Sequence, residues 1–330
     1  MRRDSRLGSA PEPRHAARVQ ILVVGLNPAV DVEWCVASVH WDEKNVVLGE
    51  RRWAGGKSVN VARWLRQLGA PVKLLVPLGG ATGEELQRQL HAEKVPVCAV
   101  PLREATRANV MVTQAQGPQL RFNPQGPKLS AAEWRAFVAA FTAELAQTAL
   151  VIFSGALSRA ARPTLYRDLL RLARHAAVRT VLDCDGDAFA TGVTAKPLLV
   201  KPNVFELAQW AGEKLGSEAA LLRAARKLSR VTGGWVFVSR DAQGGLLVND
   251  NAAQGWRAAV PTVRVRNTVG AGDALLAAVA TQMVAGAPPE AWLRAGLATA
   301  TAGVQQPAGK LASARAIQAV ARQLRLVTLT

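Results

Sequence analysis

Hydrophobic residues fall into short continuous runs spaced along the chain. The clearest are VQILVV at Val19–Val24, VKLLVPLG from Val72, Leu150–Phe153, Thr180–Leu182, Leu198–Val200 and Trp235–Ser239. A run that is apolar at successive positions suits a strand covered on both faces, whereas a half-exposed strand alternates. Helical patterns follow several of the runs, through Glu84–His91 and around Leu165–Ala173. Repeated strand-helix units predict an α/β fold of three layers, a mainly parallel sheet between helices. No internal repeat or low-complexity block interrupts them. Two stretches differ. Val32–Leu48 and Asn109–Phe122 contain alternating segments (VEWCV, NVVLG, NVMVT, QLRFN) without helical period. They predict antiparallel strands with one wet face, a small β-sheet lid drawn from about residues 31–52 and 106–124. Such a lid could close over a cleft or serve as a homodimer face.

The chemistry concentrates where strands are expected to end, the place where open α/β sheets bind ligands. NTVGAGD, Asn267–Asp273, lies between a strand-like run at Val260–Val265 and an alanine-rich helical pattern at Ala274–Ala285. Gly270, Ala271 and Gly272 would leave first-turn N–H groups unblocked, an anion site backed by the helix dipole. Asp273 adds a carboxylate there, read either as a proton acceptor or as a stabiliser of the helix N-terminus. In a first turn its pKa is expected to be lowered. Asp31, in GLNPAVD after the first strand, is placed to accept sugar hydroxyls or to serve the turn after Asn27-Pro28.

WAGGKSVNVARWLRQLG, residues 53–69, imitates a P-loop at Gly56-Lys57-Ser58. The motif needs a glycine where Arg51 stands, so a P-loop is excluded. What remains is a glycine-led helix start in which Gly55, Gly56, Lys57 and Asn60 form a grip for a polyol phosphate, or an amphipathic helix with a surface lysine. DCDGD places Asp183 after another strand. KPNVFEL places Lys201, Asn203 and Glu206 after the next. Asn203 and Glu206 have capping-box spacing and could also order a hydrated Mg²⁺. Ser239-Arg240-Asp241 leads to Gly244-Gly245, a turn for nucleotide phosphates or a plain strand connection.

Composition narrows the partners. The chain has 330 residues, 49% hydrophobic, with 41 Lys and Arg against 24 Asp and Glu, a net charge of +17. That balance suits anionic partners. Because the basic residues are spread along helix faces such as Arg223–Arg230 and no nucleic-acid motif is visible, phosphorylated small molecules are expected and nucleic acid is not. No apolar run approaches the roughly 20 residues of a membrane helix. Residues 1–18 are basic and lack the apolar block of a secretory signal, so a disordered tail is expected. Cys35, Cys98 and Cys184 have no metal or disulfide spacing, which fits a cytoplasmic location.

In this order the clusters resemble the ribokinase-like, or PfkB, family of sugar kinases, from about Val19 to the C-terminal region. NTVGAGD carries the resemblance, supported by AGGKxxN and KPNxxEL. NPAVD, AGGKSVNVA, TRANV, FNPQGP and LLVKPNVFELAQWAGEKL are similar to its 1-phosphofructokinase and tagatose-6-phosphate kinase branch. The resemblance implies a ribokinase-like kinase domain over 19–330 that uses ATP and Mg²⁺ on a phosphorylated ketose. It implies Asp273 as base and Gly270–Gly272 as anion hole. Sugar hydroxyls would meet Asp31, Gly55, Gly56 and Asn60, and the sugar's phosphate would meet Lys57 and Arg107. Lys201, Ser239, Gly244, Gly270 and Gly272 fall on the ATP side, with Asn203, Glu206 and Asp183 holding the metal through water. The substrate implied is fructose 1-phosphate, with tagatose 6-phosphate and fructose 6-phosphate as alternatives. Departures occur at SGALS, where the family commonly shows SGSLP, and at Asp241, in a loop usually written SLGxxG. A silent sugar sensor or nucleic-acid-binding regulator on the same fold would have no need for Asp31, Asn60, Glu206 and Asp273 together.

Overall fold

The computed structural model describes residues 19–114, 117, 119–158 and 160–329; the basic tail at 1–18 lies outside the described residues. Its elements run β1 (Gln20–Val24), β2 (Ala29–Val36), β3 (Gly49–Gly55), α1 (Lys57–Gln67), β4 (Val72–Leu78), α2 (Gly80–Ala92), β5 (Val97–Pro101), β6 (Arg107–Gln114), β7 (Leu120–Phe122) and α3 (Ala131–Glu144). They continue through β8 (Thr148–Ser154), α4 (Leu165–His175), β9 (Arg179–Asp183), α5 (Gly186–Gly192), β10 (Leu199–Val200), α6 (Val204–Ala211), α7 (Glu218–Thr232), β11 (Trp235–Ser239), β12 (Gly245–Asn249) and β13 (Gln254–Ala258). The last are α8 (Ala271–Val284), α9 (Pro289–Gly303), α10 (Ala314–Ala321) and β14 (Leu326–Thr328).

Ten strands form the main sheet in the order β14-β13-β12-β11-β10-β9-β8-β1-β4-β5. Pairing is parallel from β5 to β11, and β12 to β14 extend that edge antiparallel. The two faces bury separate cores. Ile21 and Val23 of β1 pack with α1, α2, α8, α9 and α10, while Leu22 and Val24 pack with α3 to α7. Burial on both faces is why these strands read as unbroken apolar runs. From β1 the chain winds one way to β4 and β5, then crosses back to β8 and proceeds the other way. The order therefore reverses between β1 and β8, and a crevice opens beyond their carboxyl ends.

Four strands form the lid, in the order β3-β2-β6-β7. Its bounds correct the expectation: residues 37–48 are a connection between β2 and β3, and NVVLG contributes only Gly49 to a strand. Pairing differs too, because β2 and β6 run parallel, Asp31 beside Asn109. The chain leaves the lid after β3, adds α1 to β5 to the main layers and returns through β6, so two strands entering from the body share a direction. A second correction concerns Val260–Val265, which forms no strand. Pro261 lacks an N–H, and β14 from the C-terminus already occupies the free edge of β13. The segment runs instead as an irregular lead into α8, fixed where Arg266 and Asn267 donate to the Val304 carbonyl at 2.8 and 3.2 Å.

Candidate active site

A cleft of about 910 Å³ lies beyond the strand ends, between the lid and the main sheet. Gly270 is the N-cap of α8 at φ 81°, a left-handed conformation that glycine adopts freely. The first i→i−4 bond of the helix is Ala274 N–H to Gly270 O, at 2.9 Å. The N–H groups before it belong to the first turn, and that of Ala271 also contacts Thr268 O at 3.3 Å. Asp273 is only 4% exposed, and Asn60 of α1 donates to its Oδ2 at 2.9 Å. A side chain at Gly272 would approach the Lys201 ammonium, since its Cβ would lie 3.3 Å from Nζ.

Asp273 departs from the expected lowered pKa. Burial, reinforced by the nearby negative charge of Asp183, pushes its carboxyl up to about 6 against the opposing pull of Lys57, Asn60 and Lys201. Removal from water outweighs the dipole of its own helix.

Acidic groups crowd the end of the cleft at β9 and α6. Asp183, at the end of β9, lies 3.2 Å from Lys201 Nζ and 3.7 Å from Lys57 Nζ. Burial would raise its pKa, but Lys201 and Lys57 together hold it below the ordinary value. Lys57 also lies 3.8 Å from Glu206, and the carboxylates around it, Asp183 foremost, keep its ammonium firmly protonated. The lysine expected at the sugar phosphate thus bridges toward the acidic end. Asn203 and Glu206 form the capping box of α6, Asn203 N–H to Glu206 Oε2 at 2.9 Å and Glu206 N–H to Asn203 Oδ1 at 2.8 Å. These reciprocal bonds leave Glu206 Oε1 toward Lys57. No group of three or more His, Cys, Asp or Glu among the described residues is arranged to enclose a metal. Such a donor set fits a cation held through water and phosphate, and does not fit a protein cage.

The lid end carries the other polar groups. Asp31 is 5% exposed and accepts from Asn109 Nδ2 at 2.8 Å. Burial raises its pKa, opposed by Asn109, Arg107 and Arg63. Gly55 sits directly behind it, where a Cβ would come within 2.1 Å of the Asp31 carboxyl carbon. Arg107 donates to Pro124 O at 2.7 Å and Asn27 O at 3.1 Å, while its buried Nε has no protein partner. Asn109 Oδ1 is likewise buried and unpartnered. Orphaned buried polar atoms beside a cleft favour a polar guest.

One cleft therefore brings together Asp31, Gly56, Lys57, Asn60, Arg107, Asp183, Lys201, Asn203, Glu206, Ser239 and Gly270–Asp273. Gly244 is not in its wall: at φ 86° it turns toward β13, where a Cβ would meet Ala258 O at 2.0 Å. Asp241, at φ 47°, does line it. Sequence reading missed Asn109, Arg121, Asn123 and Gln125, all in the wall. The period of two in β6 puts Asn109 on the face of Arg107, so TRANV held a usable signal. Arg121 had none.

The sequence matches the pfkB family carbohydrate kinase profile over residues 21–314. The chain belongs to the pfkB family of carbohydrate kinases. It is 32% identical to the 1-phosphofructokinase of Escherichia coli K12 over 291 residues, 87% of this chain and 91% of that one. Among solved structures, phosphofructokinase-2 of Escherichia coli in complex with potassium superposes with a TM-score of 0.86 at 27% identity, covering 92% of this chain and 99% of that one. Ribokinase of Arabidopsis thaliana shares the fold, with a TM-score of 0.75 at 20% identity over 93% and 99% of the two chains. This pfkB kinase is thus a phosphotransferase of carbohydrates built on the three-layer fold described above.

Proposed function

We propose that the enzyme transfers the γ-phosphoryl group of ATP to the 6-hydroxyl of fructose 1-phosphate, giving fructose 1,6-bisphosphate. The observation that carries the reading is the pair Arg107 and Arg121 in the same cleft wall as Asp31. A neutral sugar needs no two guanidiniums at its binding end, whereas a sugar phosphate does. The relationship to 1-phosphofructokinase supports the choice of ketose.

Asp31 accepts sugar hydroxyls and Asn60 orients Asp273, which takes the proton of the attacking hydroxyl. The first-turn N–H groups of Gly270–Gly272 and the ammonium of Lys201 stabilise charge on the transferring group. Phosphoryl transfer has a loose transition state, so placement and charge dominate over basicity. Glu206, Asn203 and Asp183 would hold Mg²⁺ through water, and the ion would offset phosphate charge when bound. Lys57, between the acidic cluster and the sugar grip, neutralises either the carboxylates or a phosphate.

Fructose 6-phosphate is the second reading, favoured by the likeness to phosphofructokinase-2, one of whose structures is in complex with fructose-6-phosphate. ADP release with Mg-ATP across fructose 1-phosphate, fructose 6-phosphate, tagatose 6-phosphate, fructose and ribose separates the readings. The highest kcat/KM is expected with fructose 1-phosphate; a preference for free fructose or ribose overturns the assignment. Arg121→Ala should raise KM about tenfold for the phosphorylated ketose, the worth of one charge-assisted bond, and leave KM for fructose unchanged. An equal loss on both sugars would remove Arg121 from the phosphate.

We also propose that the lid forms a homodimer face. Trp41, Val46, Leu48 and Phe122 are exposed at 80, 62, 70 and 54%. Three of these lie in the β2–β3 connection and Phe122 on β7, and exposed apolar side chains of that kind at the lid suit a second copy. Trp41→Asp with Leu48→Asp should shift light-scattering mass from dimer to monomer; a wild type that is monomeric at high concentration refutes it.

A further inference from the structure

A second cavity, of about 960 Å³, opens where β3 of the lid meets α1 and the loop before α10. Its wall holds Arg51 and Arg52 of β3, Arg63 and Arg66 of α1, and Lys310 of the loop before α10, against the single carboxylate of Glu93. Three of the cations are already neutralised. Arg63 grips Glu93 through Nε at 2.5 Å and Nη2 at 2.8 Å, Arg51 pairs with Glu33, and Arg52 makes two bonds to Glu85 at 2.8 and 2.7 Å. Arg66 donates to the uncharged Lys94 carbonyl at 3.0 Å. Among the described residues no carboxylate lies within ion-pair distance of Arg66 or Lys310. The cavity therefore keeps an uncompensated positive charge, focused by concave walls.

We propose that this cavity is a second anion site, for a compact diphosphate group, free or carried on a larger molecule, and that its occupancy stiffens this junction of lid and body. The wall is drawn from three elements, the lid strand β3, the body helix α1 and the C-terminal loop, and the uncompensated charges sit on the last two. An anion held by Arg66 and Lys310 against the β3 wall would tie them together. The wall is also continuous with the reaction site. Arg63, 6% exposed, donates to Ala54 O at the end of β3 and to Gly309 O in the loop, at 3.3 and 3.0 Å. Trp53 pairs in register with Asp31 and packs on Gly309, whose Cβ would lie 2.9 Å from the indole. Trp53 and Arg63 further line a narrow space shared with Asp31, Asn60 and Gly270. Trp53, Arg63 and the loop at 308–311 line both spaces, so the cavity adjoins the sugar end and the start of α8. The proposal does not depend on which sugar the enzyme phosphorylates.

Calorimetric titration of the full chain with inorganic pyrophosphate, in magnesium-free buffer, tests it. Arg66 and Lys310 are exposed, so Arg66→Ala with Lys310→Ala should fold normally, and Arg66→Glu with Lys310→Glu provides a stronger version. Both variants are expected to lose one class of pyrophosphate sites, or to weaken it about tenfold or more, while the class belonging to the cleft persists. Hydrogen exchange across residues 49–56 should slow on pyrophosphate addition in the wild type and not in the variants. Isotherms that superimpose for wild type and both variants overturn the site, and unchanged exchange in the wild type overturns the coupling. The same titrations with ADP distinguish a free diphosphate from one carried on a nucleoside.

Discussion

Asp273→Asn is expected to lower kcat by about two to four orders of magnitude, the usual worth of a positioned base, with sugar KM little changed. The amide keeps the shape of the side chain and can still accept from Asn60, so what is lost is the ability to take a proton. Its pKa of about 6 sets two further expectations. In the free enzyme kcat/KM should fall about tenfold per pH unit below that value and level off above it, because only the ionised form accepts the hydroxyl proton. Stability should respond in the opposite sense. A folded pKa raised from 3.8 to about 6 means that the contribution is full below 3.8 and lost as pH rises through 6. At pH 7 the buried, ionised carboxylate costs about 3 kcal/mol at most, so Asp273→Asn should be more stable than wild type at neutral pH and lose that advantage near pH 4. Full turnover in the purified variant, or a flat profile between pH 5 and 8, would remove Asp273 from the role of base. A variant that is inactive and less stable would show that the carboxylate serves the fold.

The chain yields different parts of this site at different ranges. β1 and β11 were legible because burial on both faces leaves a mark on four successive residues. Capping at Asn203 and Glu206 was legible because both partners lie within one turn. The parallel union of β2 with β6 was not, since Asp31 and Asn109 are 78 residues apart and nothing local sets their register. Val260–Val265 illustrates the converse: its β-branched run is a real local preference, defeated when β14 takes the edge. Lys57 could be read as a cation at a helix start, but its neighbours Asp183 and Glu206 arrive from two other strand ends. The pKa of Asp273 fails for the same reason. The helix dipole acts from adjacent residues, while the burial and the Asp183 charge that overrule it come from the assembled sheet.

Gly55→Ala is the second large effect expected, and it tests Asp31 without touching it. The added methyl would stand 2.1 Å from Asp31 Cγ and within 2.3 and 2.5 Å of its oxygens. Asp31 cannot simply swing aside, because it is buried and Asn109 holds Oδ1 at 2.8 Å. Either the carboxylate moves by about an ångström or β3 does, and a misplacement of that size costs about 100-fold in rate. The fold should survive, since one methyl forced into a packed site costs about 1–3 kcal/mol. Gly49→Ala, at the other end of the same strand, is the control: a Cβ there meets nothing within 4 Å. The loss should fall on kcat/KM for the sugar and spare KM for ATP, because Asp31 lies at the lid end, and Lys201 and Asp183, to which the proposed function gives the ATP and its metal, lie at the other. If Gly55→Ala kept wild-type kcat/KM, the sugar would not depend on the Asp31 carboxylate. If KM for ATP rose as much as that for the sugar, the methyl would be acting through α1, which follows β3 directly and carries Lys57 and Asn60.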